Sequence, residues 1–283
     1  MYDSLIQSGS QDTYTKVKGR QEVFWQAAQI VSLAVSGIVA TYDYALAYYL
    51  TLAIEAASLF LCLTFEEPRI GANDANARRR GIVLHVTGSF GVLRRNRGIL
   101  VYILFIEGFG VFCTTIYFYF QNFLKSRGYI EWQIGIVLAV SALAGMLGAT
   151  LAHRLEKRLG KRWLVSLSPF VALAAFALIA FTGLEIPGMI LRAVVEAVLY
   201  VSFSDSINRL IPSEHRATLL SFEAMSFSVM MIVLFPAIGA VADRAGFKAA
   251  FTVIFAAAVP VLLLSRGLLI RKMRNGPMPG SSG

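Results

Sequence analysis

The sequence predicts an all-α polytopic membrane protein, a bundle of about eight transmembrane helices, and three observations carry that expectation. Eight apolar stretches each approach the roughly 20 residues a helix needs to cross a hydrocarbon core, in a chain of 283 residues that is 57% hydrophobic, 15% charged and has a mean hydropathy of +0.64. Nearly all Lys and Arg fall in the loops on one side of those stretches. The period-2 alternation of barrel strands, the other way to satisfy a backbone in lipid, is absent.

The stretches run over about 23–41, 46–65, 98–122, 133–152, 163–183, 186–207, 218–241 and 247–270. With the amino terminus in the cytoplasm, 21 of the 26 Lys and Arg lie in the inner segments. Only Lys125, Arg127, Arg244 and Lys248 fall outside, and Arg192 lies within a helix. Cytoplasmic retention of basic loops therefore places both termini in the cytoplasm of a multi-pass protein of the plasma or bacterial inner membrane. It also accounts for the net charge of +9 without a nucleic-acid partner. The partners implied are the lipid bilayer and a small molecule.

Some twenty polar residues precede the first stretch, with no signal-peptide pattern. Cys62 and Cys113 fall inside predicted helices, where small apolar packing roles suit them. His85, His153 and His215 are scattered in or beside inner loops, so no metal or other cofactor is expected. The longest hydrophilic stretch, 66–97, opens with Glu66-Glu67-Pro68-Arg69 and includes Arg78, Arg79 and Arg80. It reads as a linker. Its part from Gly81 to Arg95 alternates Ile82, Val83, Val86, Phe90 and Leu93 with polar residues, as a helix lying on the inner surface would, with an irregular tether as the alternative. Two helices precede this linker and six follow, dividing the chain into 1–65, 66–97, 98–271 and a disordered tail at 272–283.

Ionisable residues within the apolar stretches are the sharpest chemical clue, because a charge at the bilayer centre costs at least about 2.5–3.5 kcal/mol. Glu55, Glu107, Glu196 and Glu223 qualify, with Arg192 the one basic residue among them. Arg192 and Glu196 stand one helical turn apart and can pair. Tyr48, Thr51, Glu55, Ser58 and Cys62 form a semipolar stripe at helical spacing, and Glu107, Gly110, Thr114, Tyr117 and Gln121 form another. Two such stripes imply a shared polar interior, where desolvation disfavours the ionised carboxylate and allows reversible protonation. Glu107 is the first candidate for proton coupling or substrate contact and Glu55 the second. The competing reading is a protonated Glu hydrogen-bonded to a neighbouring helix. Glu223, near an inner helix end, is expected to reach the headgroups. Tyr117, Phe118, Tyr119, Tyr200 and Phe203 could line a site for an apolar or cationic substrate, or simply pack.

Three local sequences carry a family resemblance. Gly148-Ala-Thr-Leu-Ala-His153-Arg154-Leu-Glu156-Lys157-Arg158-Leu-Gly160-Lys161-Arg162 is similar to a basic inner-loop signature, Gly-x-x-x-Asp-Arg-x-Gly-Arg-Arg, with His153 in place of the Asp and two extra residues. Ile211-Pro212-Ser213-Glu214-His215-Arg216-Ala217-Thr218 and Pro236-Ala-Ile-Gly239-Ala-Val-Ala-Asp243-Arg244-Ala-Gly246 follow in order. Together with the arrangement of two helices, a long inner loop and six helices, they resemble the major facilitator superfamily of secondary transporters, covering its helices five to twelve. Tyr2-Asp3-Ser4-Leu5 is then similar to the inner end of helix four in drug-efflux-like members, and helices one to four are missing.

The resemblance implies a secondary transporter of a small molecule, an antiporter working in efflux by alternating access and driven by protons. A chain without helices one to four is expected to be inactive or incomplete unless it associates with another. Ser36-Gly37-Ile38-Val39 occupies the place where antiporters often carry Gly-Pro. Basic residues at helix ends, Arg154 and Arg209 among them, also serve simply as anchors at the headgroups. Pro212 and Pro236 are expected to stop or kink helices, and Ser141, Gly145 and Ala149 to let helices approach closely. The alternative function is a non-transporting assembly or sensor module that binds anionic lipid or protein through 66–97. No Walker A pattern points to ATP, and no catalytic constellation points to an enzyme.

Overall fold

A computed structural model describes residues 14–64, 97–210 and 216–275. Among them all regular structure is helical: α1 (Tyr14–Tyr42), α2 (Tyr44–Leu63), α3 (Arg97–Ser126), α4 (Glu131–Leu159), α5 (Lys161–Phe181), α6 (Glu185–Leu210), α7 (Arg216–Ala245) and α8 (Phe247–Asn275). Six of these, α2, α3, α4, α5, α7 and α8, are long and apolar enough to cross a membrane. In α1 the apolar part is shorter, Ala27–Tyr42, and α6 carries Arg192 and Glu196 along its length. The expected surface helix at 81–95, the Tyr2-Asp3-Ser4-Leu5 segment, residues 211–215 of the second motif and the tail from 276 onward lie outside the described residues.

Several helices run past their apolar stretches, because a helix keeps its backbone satisfied beyond the hydrocarbon core. Asp43 alone joins α1 to α2, and two further junctions are single glycines. Gly160 joins α4 to α5 with φ of 79°, and Gly246 joins α7 to α8 with φ of 83°. Both values lie in the left-handed region that glycine reaches without a Cβ penalty. Each amide also closes the preceding helix, Gly160 N–H on the Glu156 carbonyl at 2.8 Å and Gly246 N–H on the Ala242 carbonyl at 2.9 Å. Pro236 neither stops nor splits α7, which runs through it.

The helices fall into two compact units, and α4 contributes to both. The first takes in α1, α2 and residues 128–140. Within it α1 and the start of α4 cross at Gly37 and Gly135, where a Cβ on Gly37 would stand 2.9 Å from the Gly135 Cα. Asp43 caps α2, accepting from the Ala45 N–H at 2.8 Å. No residue of α2 is buried.

The second unit takes in α3, the rest of α4 and α5 to α8. Its core is aromatic and branched, with Phe105, Ile116, Phe120, Phe176, Ile179 and Phe251 nearly inaccessible. In lipid such packing, rather than exclusion from water, holds helices together. Helix α3 is central and touches α6, α7 and α8. It runs parallel to α7, since Gly110 meets Phe227, Thr115 meets Met231 and Tyr119 meets Phe235. It runs antiparallel to α8, with Gly108 beside Val261 and Phe123 against Phe247 and Phe251. Both directions are what a run of successive antiparallel helices gives, with α7 four helices after α3 and α8 five.

Small residues bring α4 close to α6, with Gly145 of the expected Ser141, Gly145 and Ala149 face joined by Gly148. A Cβ on Gly145 would meet the Ala193 carbonyl at 3.3 Å, and one on Gly148 the Val194 carbonyl at 3.0 Å. At Gly239 on α7 the missing Cβ makes room for Tyr119, whose hydroxyl donates to the Phe235 carbonyl at 2.9 Å. Overpacking here should cost about 1–3 kcal/mol in Gly239→Ala, whereas Tyr119→Phe should cost only about 0.5–1.5 kcal/mol. Thermal unfolding in detergent should show the double variant more stable than Gly239→Ala alone.

Candidate functional site

Polar groups on α3 gather at two levels. Near its start, Glu107 faces Glu223 of α7, and the two half-buried carboxyls are in hydrogen-bonding contact. Glu223, expected at the headgroups, thus turns to a neighbouring helix instead. Ten residues farther along α3, about 15 Å at 1.5 Å per residue, Tyr117 lies beneath Arg192 of α6, whose guanidinium carbon is 5.9 Å from the ring centroid.

Arg192 is 5% exposed and well supplied with partners. It pairs with Glu196 one turn on, donates from Nη1 to the Cys113 carbonyl at 3.4 Å and from Nε to Met189 Sδ at 3.3 Å. A buried cation needs this many contacts to offset its lost hydration. The structure therefore brings together three residues drawn from two separate sequence features, Tyr117 of the α3 stripe and the Arg192–Glu196 pair. Thr114 and Gln121 lie half-buried on the same helix.

Glu55 is exposed on α2, in the first unit. Its stripe neighbours Thr51 and Ser58 donate to the carbonyls of Ala47 and Ile54 within their own helix, each at 2.9 Å. In the basic motif, Gly148 is buried against Val194, Gly160 makes the junction, and Arg154, Lys157, Arg158 and Arg162 are exposed. The side chain of Lys161 lies outside the described residues.

A second charge cluster, not anticipated from the sequence, sits where α5 turns into α6. Glu185 accepts from Lys248 at 2.8 Å and from Arg127 at 3.2 Å. The Lys248 ammonium also donates to the Ile179 and Thr182 carbonyls, each at 2.8 Å, closing the carboxyl end of α5. The four outer basic residues hinted at this cluster, but spacing alone cannot say that Glu185 joins α3 to α8.

The family model described as Major Facilitator Superfamily matches residues 10–191 and again 131–281, which together take in nearly the whole chain. The chain belongs to the Major Facilitator Superfamily. It is also similar to an uncharacterized MFS-type transporter, YxaM, of Bacillus subtilis (strain 168), at 23% identity over 295 aligned positions covering 98% of this chain and 72% of that one. Membership in the superfamily makes it a multi-pass membrane protein of a small-molecule transporter family, and points away from an enzyme.

Two outcomes follow from the charge clusters. Glu196→Ala leaves the Arg192 guanidinium buried without its counter-ion, which should cost about 3–5 kcal/mol, while Arg192→Met with Glu196→Met should recover most of it; denaturant melts of the purified variants check both. For Glu185, burial pushes the carboxyl upward, but the Lys248 hydrogen bond, its own backbone N–H and the charges of Lys248 and Arg127 outweigh it and hold the group below its ordinary value. A depressed acid stabilises the fold above the unfolded value, near about 4.3, and that contribution disappears as pH falls through the folded one. Melting temperature should therefore drop on acidification below that range, and Glu185→Gln should be less stable at neutral pH with a flatter acid limb.

Proposed function

We propose that the chain works as a proton-coupled exporter of a small apolar or cationic molecule, by alternating access, with both termini in the cytoplasm. The observation that carries this reading is the Glu107–Glu223 contact on α3 and α7. Two half-buried carboxyls in hydrogen-bonding contact are compatible when they share a proton, because like charges that close oppose double ionisation. Losing that proton changes the pair from one that holds α3 to α7 into one that repels, and regaining it reverses the change. That is a way to link proton binding to helix movement.

Tyr117 beside Arg192, with Thr114 and Gln121 on the same helix, supplies the aromatic and hydrogen-bonding groups for substrate contact in this reading. Glu55 on α2 is the second candidate for proton exchange. The Arg192–Glu196 pair is the charge pair that breaks and reforms during the cycle. Residues 66–97 join the first two helices to the six-helix portion 98–271, with 272–283 as a cytoplasmic tail.

Proteoliposomes holding the full chain, an imposed pH gradient and ethidium as a fluorescent cationic probe test the proposal. Gradient-driven ethidium movement, accompanied by proton counterflow, is expected for the wild type. Glu107→Gln and Glu223→Gln should each abolish the proton-driven component. Movement that ignores the pH gradient, or survives both substitutions, would overturn the coupling role, and wild-type vesicles that move neither protons nor probe would favour the assembly or sensor reading.

A further inference from the structure

Arg266 of α8 is half-buried in an apolar span without a counter-ion. It stands inside the span Phe247–Arg271, five residues and about 7.5 Å before its end, where an uncompensated charge is costly. Its partners are neutral. Nε donates to the Ser166 carbonyl of α5 at 2.9 Å and Nη2 to the Ser166 hydroxyl at 2.7 Å, while the guanidinium carbon lies 5.0 Å from the Phe170 ring centroid. No carboxylate among the described residues pairs with it. Arg192, in the same unit, has Glu196 on its own helix. Gripping Ser166 uses one edge of the Arg266 fork, so the Nη1–Nη2 end remains for an anion that accepts two hydrogen bonds.

The α5–α8 seam is antiparallel. Lys248 reaches the Ile179 and Thr182 carbonyls, Phe255 packs edge-on against Phe181 with centroids 5.2 Å apart, and Arg266 lies at Ser166. Continued to the end of the span, that register sets Arg271 level with the first turn of α5, where Arg162 stands. Both arginines are exposed. Neither α5 nor α8 contains a single acidic residue along its length, and the nearest acid in sequence to Arg162, Glu156, belongs to α4. Beside these cations the surface is apolar. Trp163, Leu167 and Phe170 recur at helical spacing on α5 and are 61%, 44% and 49% exposed. Helix α5 packs on α6 and α8, so this stripe turns away from its neighbours towards lipid, with Trp163 at the level where tryptophan favours the headgroup boundary.

We propose that the α5–α8 seam binds one anionic phospholipid, with its phosphate among Arg266, Arg162 and Arg271 and an acyl chain along the stripe from Trp163 to Phe170. The phosphate diester supplies the paired acceptor oxygens that the open guanidinium end requires. The chain covers apolar surface that a free anion would leave bare. A headgroup with net negative charge is favoured over a zwitterionic one, whose ammonium would meet three cations with no acid on either helix to offset them. Bound there, the lipid completes a charge balance that the protein leaves open and ties the end of α8 to the start of α5. The site is distinct from the Glu107–Glu223 contact and does not depend on transport.

The full chain carrying Trp25→Phe and Trp132→Phe retains Trp163 as its sole tryptophan. It is placed in phosphatidylcholine vesicles containing brominated phosphatidylglycerol or, at the same minor fraction, brominated phosphatidylcholine, and quenching of Trp163 fluorescence is measured. Quenching by the anionic lipid well beyond that by the zwitterionic one is expected. Arg266→Gln and Arg271→Gln should each weaken that preference about fivefold, while Arg244→Gln, just before the opposite end of α8, should leave it unchanged. Arg271 is exposed, so its variant reports even where Arg266→Gln fails to fold. Equal quenching by the two lipids, or a preference undiminished in Arg271→Gln and in whichever Arg266 variant folds, would overturn the site. Unbrominated phosphatidylglycerol should relieve the quenching; inorganic phosphate relieving it equally well would assign the seam to a free anion and sink the lipid proposal.

Discussion

The parallel seam between α3 and α7 decides what the polar side of α3 can meet. Residues 107 and 223, 115 and 231, and 119 and 235 pair at one constant separation along the chain. Lipid offers no hydrogen-bond partner, so each polar group on α3 must find one inside the protein or meet an aqueous path. Thr115 bonds the Val111 carbonyl and Met231, and Tyr119 takes a main-chain oxygen beside Pro236. A rotation of α7 by one residue would turn every one of these partners away together. The arrangement is therefore specified by several weak contacts that agree, rather than by one strong one.

Charge inside the unit follows the same rule at higher cost. Arg192 sits within one helix turn of its own counter-ion, so α6 carries both members with it whether or not their bond is made. Its remaining donors reach Cys113 O and Met189, and its flat face meets Tyr117. Positive charge here is largely consumed by the fold. Glu107 and Glu223 lie on different helices, and their contact depends on how those helices stand. Of the two clusters, the one divided between helices is the one that can respond to movement.

Much of the fold is legible in the sequence because length and apolarity are local properties. All eight helices among the described residues lie where the apolar stretches predict, and of the small residues expected to allow a close approach Gly145 does so, against α6. The helix ends are less legible, since amphipathic turns at 123–126 and 153–159 continue a helix without adding to the apolar signal. The basic motif near residue 160 is visible, but its glycine serves as a junction, which only the backbone conformation reveals. Among candidate site residues, Glu107, Tyr117, Arg192 and Glu196 are recognisable as polar groups in apolar surroundings. Their companions are not: Glu223 looks like a headgroup residue from its distance to the helix end, and Glu185 looks like an ordinary loop acid. Partnership between helices depends on register and rotation, which a single chain does not display.

The one-residue junctions at Gly160 and Gly246 have a mechanical consequence. A long loop absorbs relative displacement by changing many torsions, whereas a single glycine has two. Helix α7 therefore cannot slide along α8, nor α4 along α5, by even one turn without rupturing the carboxyl-terminal hydrogen bonds that close them. Each pair behaves as a stiff hairpin, a lever whose far ends must travel together. Axial shifts in this protein belong to helices joined by longer connections, and the stiff pairs convert such shifts into tilt.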